Sequence, residues 1–357
     1  MRDETAKIGS CVLPVDVIVE ILLRIPVKSL LRFRAVSKPW YGFLSSYDFI
    51  QMHVRHRQLH NEQLLRVSDR GPRDTHTISL FCLEKTTPVK ADEEIDDGVQ
   101  VYKIGDFDDA DLYSVSVDLP FPSSPDDEVR IVGSCNGLLC IHFNRSSSII
   151  LWNPATRKYR FLECPDCVSF YSDPFFPYIM LGFVPETDDY KVVKVLSSSR
   201  KDSNAKVWVY TLNSDSWEEM GAVLHGLLPK GGSAVFLNGC LYWMSYINDN
   251  RLDIITSFDL NNQVFGKITL PNPDIVSNLT IQKLVVLKGC LSMIIYLGNG
   301  INVNHYEVCV MTGQQGVAES WTKQFDFSPF SKLARPVGSW RDDELLFGYP
   351  NGLSREL

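Results

Sequence analysis

The feature that most constrains this chain is a change of hydrophobic period near residue 62. Before it, apolar residues recur at helical spacing, as in Val17, Ile18, Ile21, Leu22 and Ile25. After it, short stretches rich in Val, Ile, Leu, Tyr and Trp alternate with Gly, Asn, Asp and Pro, the pattern of strands and turns. Four units there resemble one another. VRIVGSCNGLLCIHFN leads into IILWNPATRKYRFLE, and LGFVPETDDYKVVKVL into KVWVYTLNSDSWEEM. SAVFLNGCLYWMSYI leads into IITSFDLNNQVFGKITL, and KLVVLKGCLSMIIYL into HYEVCVMTGQQGVAESWTKQFDF. Each unit reads as about four strands, recurring roughly every 50 residues, a period of propeller blades. One such unit cannot bury both of its faces alone, so the units must pack on one another.

The units align in detail. The first turn is polar and tight: Cys135-Asn136-Gly137, Glu186 to Asp189, Asn238-Gly239 and Lys288-Gly289. The third strand carries Trp152, Tyr210, Phe258 or Val308, and the fourth begins near Tyr159, Trp217, Phe265 or Trp321. These large side chains read as core wedges between blades. The segment from about 62 to 128 reads as one irregular blade, with QLLRV, TISLFCL, VQVYKI and LYSVSVDLP as strands and an irregular acidic insertion over 90–128. A further blade starts at Arg335 and is about half written at Leu357. The expectation is a propeller of about six blades whose last blade is incomplete or shared with the segment that follows the helices.

The helical half begins with Leu13 to Pro26, where Pro14 fits the first turn and Pro26 ends the helix. A second stripe follows in Leu30, Leu31, Phe33 and Val36, and Pro39 opens a third helix with Trp40, Phe43 and Leu44. Three short helices bury little. The apolar surplus therefore predicts a docking surface for another protein. Arg24, Lys28, Arg32, Arg34 and Lys38 make this half basic.

At these residues the chain resembles a known family. LPVDVIVEILLRIPVKSLLRFRAVSKPWYGFLSS, Leu13 to Ser46, is similar to an F-box, with its Leu-Pro start, Glu20-Ile21-Leu22, Arg24-Ile25-Pro26, Lys28-Ser29-Leu30, Arg32-Phe33, Val36-Ser37-Lys38 and Trp40. The second half resembles the kelch-like F-box-associated domain of plant F-box proteins. The carriers are Gly133-Ser134-Cys135-Asn136-Gly137-Leu138-Leu139, Trp152-Asn153-Pro154-Ala155-Thr156-Arg157, Asp189-Tyr190-Lys191-Val192-Val193 and Val317-Ala318-Glu319-Ser320-Trp321. This resemblance extends to the S-locus F-box proteins.

The resemblance implies an F-box over 11–55 and an F-box-associated propeller over 62–357. It implies the substrate-recognition subunit of a cullin–RING (SCF-type) E3 ubiquitin ligase. The F-box would hold an acidic adaptor, and through it a cullin; the propeller would hold a target protein. Leu13, Pro14, Ile21, Leu22, Ile25, Pro26, Leu30, Leu31, Val36 and Trp40 would then face the adaptor. Such a chain is a non-catalytic receptor without cofactor. A non-degradative F-box adaptor or a glycan-binding module is the alternative.

Composition narrows the classes further. The net charge is -8, against general nucleic-acid binding, which needs a basic surface. No apolar run reaches the roughly 18 residues of a membrane helix. The start MRDETAKIGSCVLP lacks a secretory pattern. Nine scattered cysteines read as reduced thiols of a cytosolic or nuclear protein. Cys164-Pro165-Asp166-Cys167 is a lone pair without the further ligands of a structural zinc site. His53, His56 and His60 lie among Arg55 and Arg57 and read as a solvated helix face. A propeller enzyme would need paired carboxylates or metal-binding histidines in the ring, and His76, His142, His225 and His305 are scattered.

In such blades the turns after strands one and three share one face, and the loops after strands two and four share the other. The latter are long: Phe143 to Ser148, Ser197 to Lys206, Asn248 to Leu252 and Gly298 to Asn304 within units, and Cys164 to Tyr178, Gly221 to Gly232, Pro271 to Thr280 and Ser328 to Arg335 between them. Loops on a rigid scaffold gather binding residues. Arg145, Tyr171, Phe175, Phe176, Arg200 and Arg251 are the candidate target contacts on that face.

Overall fold

The structure is a computed structural model. It describes residues 13–60, 63–68, 77–83, 99–103, 112–121, 127, 129–143, 146–163, 175–198, 205–221, 224, 228, 234–248, 251–271, 280–298, 303–313, 320–328, 335–341 and 344–348. The CxxC pair and the acidic runs Asp92 to Asp97 and Asp106 to Asp111 lie outside these residues.

Four helices come first: α1 (Val15–Arg24), α2 (Val27–Phe33), α3 (Lys38–Leu44) and α4 (Tyr47–His60). The sequence pattern had shown three. The α4 helix carries little apolar periodicity of its own and is recruited by packing against α1 and α3. The other elements among the described residues are strands.

Four sheets have four consecutive antiparallel strands each. They are β5 (Val129–Cys135), β6 (Leu138–Phe143), β7 (Ile149–Asn153) and β8 (Lys158–Leu162); β9 (Phe175–Val184), β10 (Asp189–Ser198), β11 (Lys206–Thr211) and β12 (Ser216–Met220); β13 (Val235–Leu237), β14 (Cys240–Asn248), β15 (Arg251–Asp259) and β16 (Val264–Thr269); and β17 (Thr280–Leu287), β18 (Cys290–Gly298), β19 (Val303–Met311) and β20 (Trp321–Phe327). The first strands of each sheet meet the first or second strand of the next, with β5 against β9, β9 against β14, and β13 and β14 against β17. This is a β-propeller-like arrangement.

The turns explain the hairpins. Asn136-Gly137, Asn238-Gly239 and Lys288-Gly289 have positive φ at both positions, the two-residue geometry whose twist matches paired strands. The four-residue turns between third and fourth strands each end in a positive-φ residue: Arg157, Asp215 or Gln263. The side chain before the turn ties two of them. Asn153 accepts from the Thr156 N–H, and Asp259 accepts from the Asn261 and Asn262 N–H groups.

Alternate residues of one strand enter different cores. Val192 packs with Cys140, Leu151 and Tyr210 between the β5–β8 and β9–β12 sheets, whereas Val193 and Val195 pack with Trp243 and Phe258 towards the next sheet. Burial on both faces explains the continuous apolar runs. Gly182 marks the closest approach, since a Cβ there would stand 2.3 Å from Leu260 Cδ1.

The ends of the repeat block differ from the expectation. The first sheet contains β1 (Gln63–Ser68), β2 (Thr77–Leu83) and β4 (Leu112–Asp118). The strand between them, β3 (Val99–Lys103), leaves for the last sheet and pairs with β22 (Glu344–Gly348), which pairs in turn with β21 (Arg335–Arg341). So VQVYK and LYSVSVD are strands, but in different sheets. Sharing β3 ties the two ends of the chain together, the second of the two closures expected for the last blade. Cross-strand neighbours correct one alignment as well: Trp321 faces Met311, and Val308 faces Phe325.

Candidate docking surfaces

The helical half is built around its proline and serine punctuation. The Pro14 carbonyl accepts from the Val17 and Ile18 N–H groups, starting α1. Ile25 is extended, and the Pro26 carbonyl accepts from Ser29 and Leu30, starting α2. Ser37 caps α3 by accepting from the Trp40 N–H. Arg34 donates to the Leu44 carbonyl at 2.8 Å, and Ser46 Oγ donates to Phe43 and accepts from the Phe49 N–H.

This frame buries Leu22, Leu23, Leu30, Leu44 and Phe49, with Phe33 and Trp40 packed edge to face at 6.1 Å. His53 is buried too and reaches the Ile25 carbonyl through Nε2 at 3.1 Å. It locks α4 onto the α1–α2 corner, which corrects the reading of a solvated histidine face.

The α1 helix is apolar on two sides. Leu22 and Leu23 enter the core, while Leu13, Val17 and Ile21 form a second stripe one turn apart, each 43–47% exposed. Val15, Val36 and Tyr41 add to the exposed apolar surface. Of the ten residues assigned to the adaptor, Leu13, Pro14, Ile21, Pro26 and Val36 are exposed, and Ile25, Leu31 and Trp40 are half-buried. Leu22 and Leu30 are instead buried, with their side chains in the helical core. Five basic side chains against two acidic ones lie between Leu13 and Ser46, and Arg24 is paired with Glu20 at 2.7 Å.

Residues 99–344 match the F-box associated beta propeller domain family, and residues 11–51 match the F-box domain family. The chain belongs to the F-box proteins with an associated beta propeller domain. It is 28% identical to an F-box/kelch-repeat protein of Arabidopsis thaliana, covering 96% of this chain and 86% of that one. It is 27% identical to F-box protein CPR1 of Arabidopsis thaliana, covering 88% of this chain and 72% of the relative. Among solved structures, the beta-propeller domain of the Trilobed protease from Pyrococcus furiosus overlaps 64% of this chain and 67% of its own at a TM-score of 0.35, with 11% identity. An F-box generally implies binding of a Skp1-type adaptor, and members of this family are typically non-catalytic adaptors. Among the described residues, no helix of this F-box protein is long and apolar enough to cross a membrane.

The propeller offers a narrow cleft between the β5–β8 and β9–β12 sheets, lined by His142, Ser147, Pro177, Lys194 and Leu196. It lies at the end where second strands run into their loops. Of the target candidates, Arg145, Tyr171 and Arg200 lie outside the described residues. Phe175 and Phe176 are not loop residues: they open β9, opposite Ser198 and Ser197. Arg251 opens β15 opposite Asn248, so only two residues connect β14 to β15. The long loop expected from Asn248 to Leu252 is therefore taken up by strand at both of its ends.

Chemical groupings elsewhere are structural. His305 Nε2 lies 2.9 Å from Asp326 and 3.8 Å from Glu307, a cluster that scattered histidine positions did not reveal. The Lys323 ammonium stands among the same carboxylates at 2.8 and 3.5 Å and supplies their counter-charge. Between sheets, Arg160 bridges to Asp215 at 3.1 Å, and Tyr210 donates to the same carboxylate. Cys135 and Cys140 are free thiols in the core, where burial pushes the Cys135 pKa up to about 12 and that of Cys140 higher still. Such thiols are protonated at neutral pH and make poor nucleophiles.

Proposed function

We propose that this F-box protein is the substrate receptor of an SCF-type E3 ubiquitin ligase, with the F-box over 11–55 holding the adaptor and the propeller over 62–357 holding a target protein. The observation that carries the reading is the second apolar stripe of α1. Leu13, Val17 and Ile21 stay exposed although the helical half has already built its own core. Each is already about half covered, so burying the remainder is worth about 1 kcal/mol apiece, which adds up along the stripe to anchor a partner. The basic side chains around the stripe suit the acidic adaptor expected from the resemblance and speed encounter.

The receptor contributes proximity. Tethering the target near the ubiquitin donor raises its effective concentration without chemistry in this chain. The reading that the target binds at the long-loop end is supported by the loop-length asymmetry of the sequence. Cysteine usage and an adaptor of this kind support a site of action in the cytosol or nucleus. The test is co-purification of a Skp1-type adaptor with the Leu13→Ala, Pro14→Ala double variant. Loss of the adaptor with an unchanged propeller melting transition supports the reading, and undiminished capture overturns it.

A further inference from the structure

The outer strand of the β5–β8 sheet departs from its counterparts. Cross-strand register aligns the fourth strands at Tyr159, Trp217, Phe265 and Phe325. Two residues on, β12 and β16 carry an exposed charge, Glu219 or Lys267, and β20 carries the half-buried Phe327, stacked on Tyr306. In β8 that position is Phe161, which is 47% exposed beside Tyr159 at 43%. The two rings stand 5.8 Å apart, and both lean on Phe121, at 5.3 and 6.4 Å. Phe121 is itself buried against Trp152 and Phe143. The exposed pair is therefore the outer end of a fixed aromatic stack.

The topology explains the exposure. Tyr159 is the cross-strand partner of Trp152, as Trp217 is of Tyr210 and Phe265 of Phe258. These pairs pack towards the preceding sheet. For β8 the preceding sheet has three strands among the described residues, β1, β2 and β4, and no fourth strand covers the outer aromatic pair. The β8 strand is also the edge of its own sheet and pairs on one side, with β7. On the opposite face of β8 stand Lys158 and Arg160, preceded by the exposed Arg157.

We propose that β8 is a docking edge for an extended protein segment in which apolar and acidic residues alternate. The segment adds as a fifth strand, the recognition mode in which main-chain hydrogen bonds give affinity and alternate side chains give specificity. Its apolar side chains lie with Tyr159 and Phe161, and its carboxylates lie with Lys158 and with the half-exposed Arg160, whose guanidinium is shared with Asp215. Charge selects this occupant over a second copy of the chain. Two β8 strands paired antiparallel about Tyr159 or Arg160 set basic side chains directly opposite one another, an unfavourable cross-strand pairing. The inference goes beyond the receptor reading, because the edge lies on the perimeter, away from the long-loop end.

Fluorescence anisotropy with the full chain and labelled eight-residue peptides tests it. One peptide alternates Val and Glu, one alternates Val and Lys, and one holds the first composition in two blocks. The expected result is saturable binding of the alternating Val/Glu peptide, at least tenfold tighter than the other two. Phe161→Lys, which gives β8 the charge that Lys267 gives β16, weakens that binding at least tenfold, and Lys158→Glu shifts preference towards the Val/Lys peptide. Phe161→Thr repeats the first comparison with a residue that favours strands, so that a folding defect is not read as lost binding. Equal binding of the three peptides, or binding untouched by both Phe161 variants, overturns the proposal. Adaptor capture through the F-box is unaffected by either result, so failure here is separable from failure of the receptor reading.

Discussion

Leu345→Ala probes how the ring is closed. Leu345 is 0% exposed and packs with Val285, Leu287, Ile294, Tyr306 and Val308 of the neighbouring sheet. It also sits in β22 directly opposite Tyr102 of β3, a strand far away in sequence. Truncation removes three carbons from a fully enclosed site and leaves a cavity, at a cost of about 3 kcal/mol. Since about 1.4 kcal/mol is a factor of ten, opening of the last sheet becomes roughly a hundredfold more frequent. The assay is native-state hydrogen exchange. Amides of Val99–Lys103 should lose protection together with those of Glu344–Gly348, while those of Val192 to Leu196 keep theirs. Faster exchange in Glu344–Gly348 with Val99–Lys103 unchanged would refute the shared last sheet.

Three further outcomes follow from the packing. Ile21→Asp should abolish adaptor capture while the F-box stays folded, whereas Leu22→Ala should cost about 2–5 kcal/mol of F-box stability by cavity formation, as read by thermal melting of both variants. Gly182→Ala should destabilise the propeller by roughly 1–3 kcal/mol through overpacking against Leu260 and Phe236, measured by urea denaturation. Burial pushes the Asp259 pKa up, but hydrogen bonds from Asn262 and Asn261 and the charge of Lys191 outweigh it and hold the carboxyl below its ordinary value. Its contribution to the 260–263 turn is thus present above about pH 4 and is lost as pH falls through the lower folded value. Amide exchange at Asn261 and Asn262 should accelerate there, and Asp259→Asn should remove the dependence.

The parts legible in the sequence are those with local causes. Asn136-Gly137, Asn238-Gly239 and Lys288-Gly289 announce hairpins because few pairs of residues tolerate two positive φ values. Pro14 and Pro39 announce helix starts, and Pro26 a helix end, through their own backbone chemistry. What needs the third dimension was not legible. The period of VQVYK identifies a strand, but nothing in it says that the partner lies at the far end of the chain. The α1 helix has two apolar stripes, and spacing alone does not tell that Leu22 faces the core and Ile21 faces solvent. Tyr159 matches Trp217 by alignment yet differs in exposure, because exposure depends on the strand count of the sheet next door. His53 reads as solvated among arginines until α4 is folded against the Ile25 carbonyl. The target contacts were the least accessible, because irregular loops carry no periodicity from which position can be inferred.

The central claim is that the second stripe of α1 is the handle by which a ligase holds this chain. The most direct measurement is hydrogen exchange of the full chain with and without a purified Skp1-type adaptor. The account predicts new protection from Leu13 to Ile21 and from Val36 to Tyr41, with exchange unchanged in the sheets from Val129 to Met311. Protection on the sheets with none on α1, or no footprint at an adaptor concentration that saturates a known F-box, would contradict it.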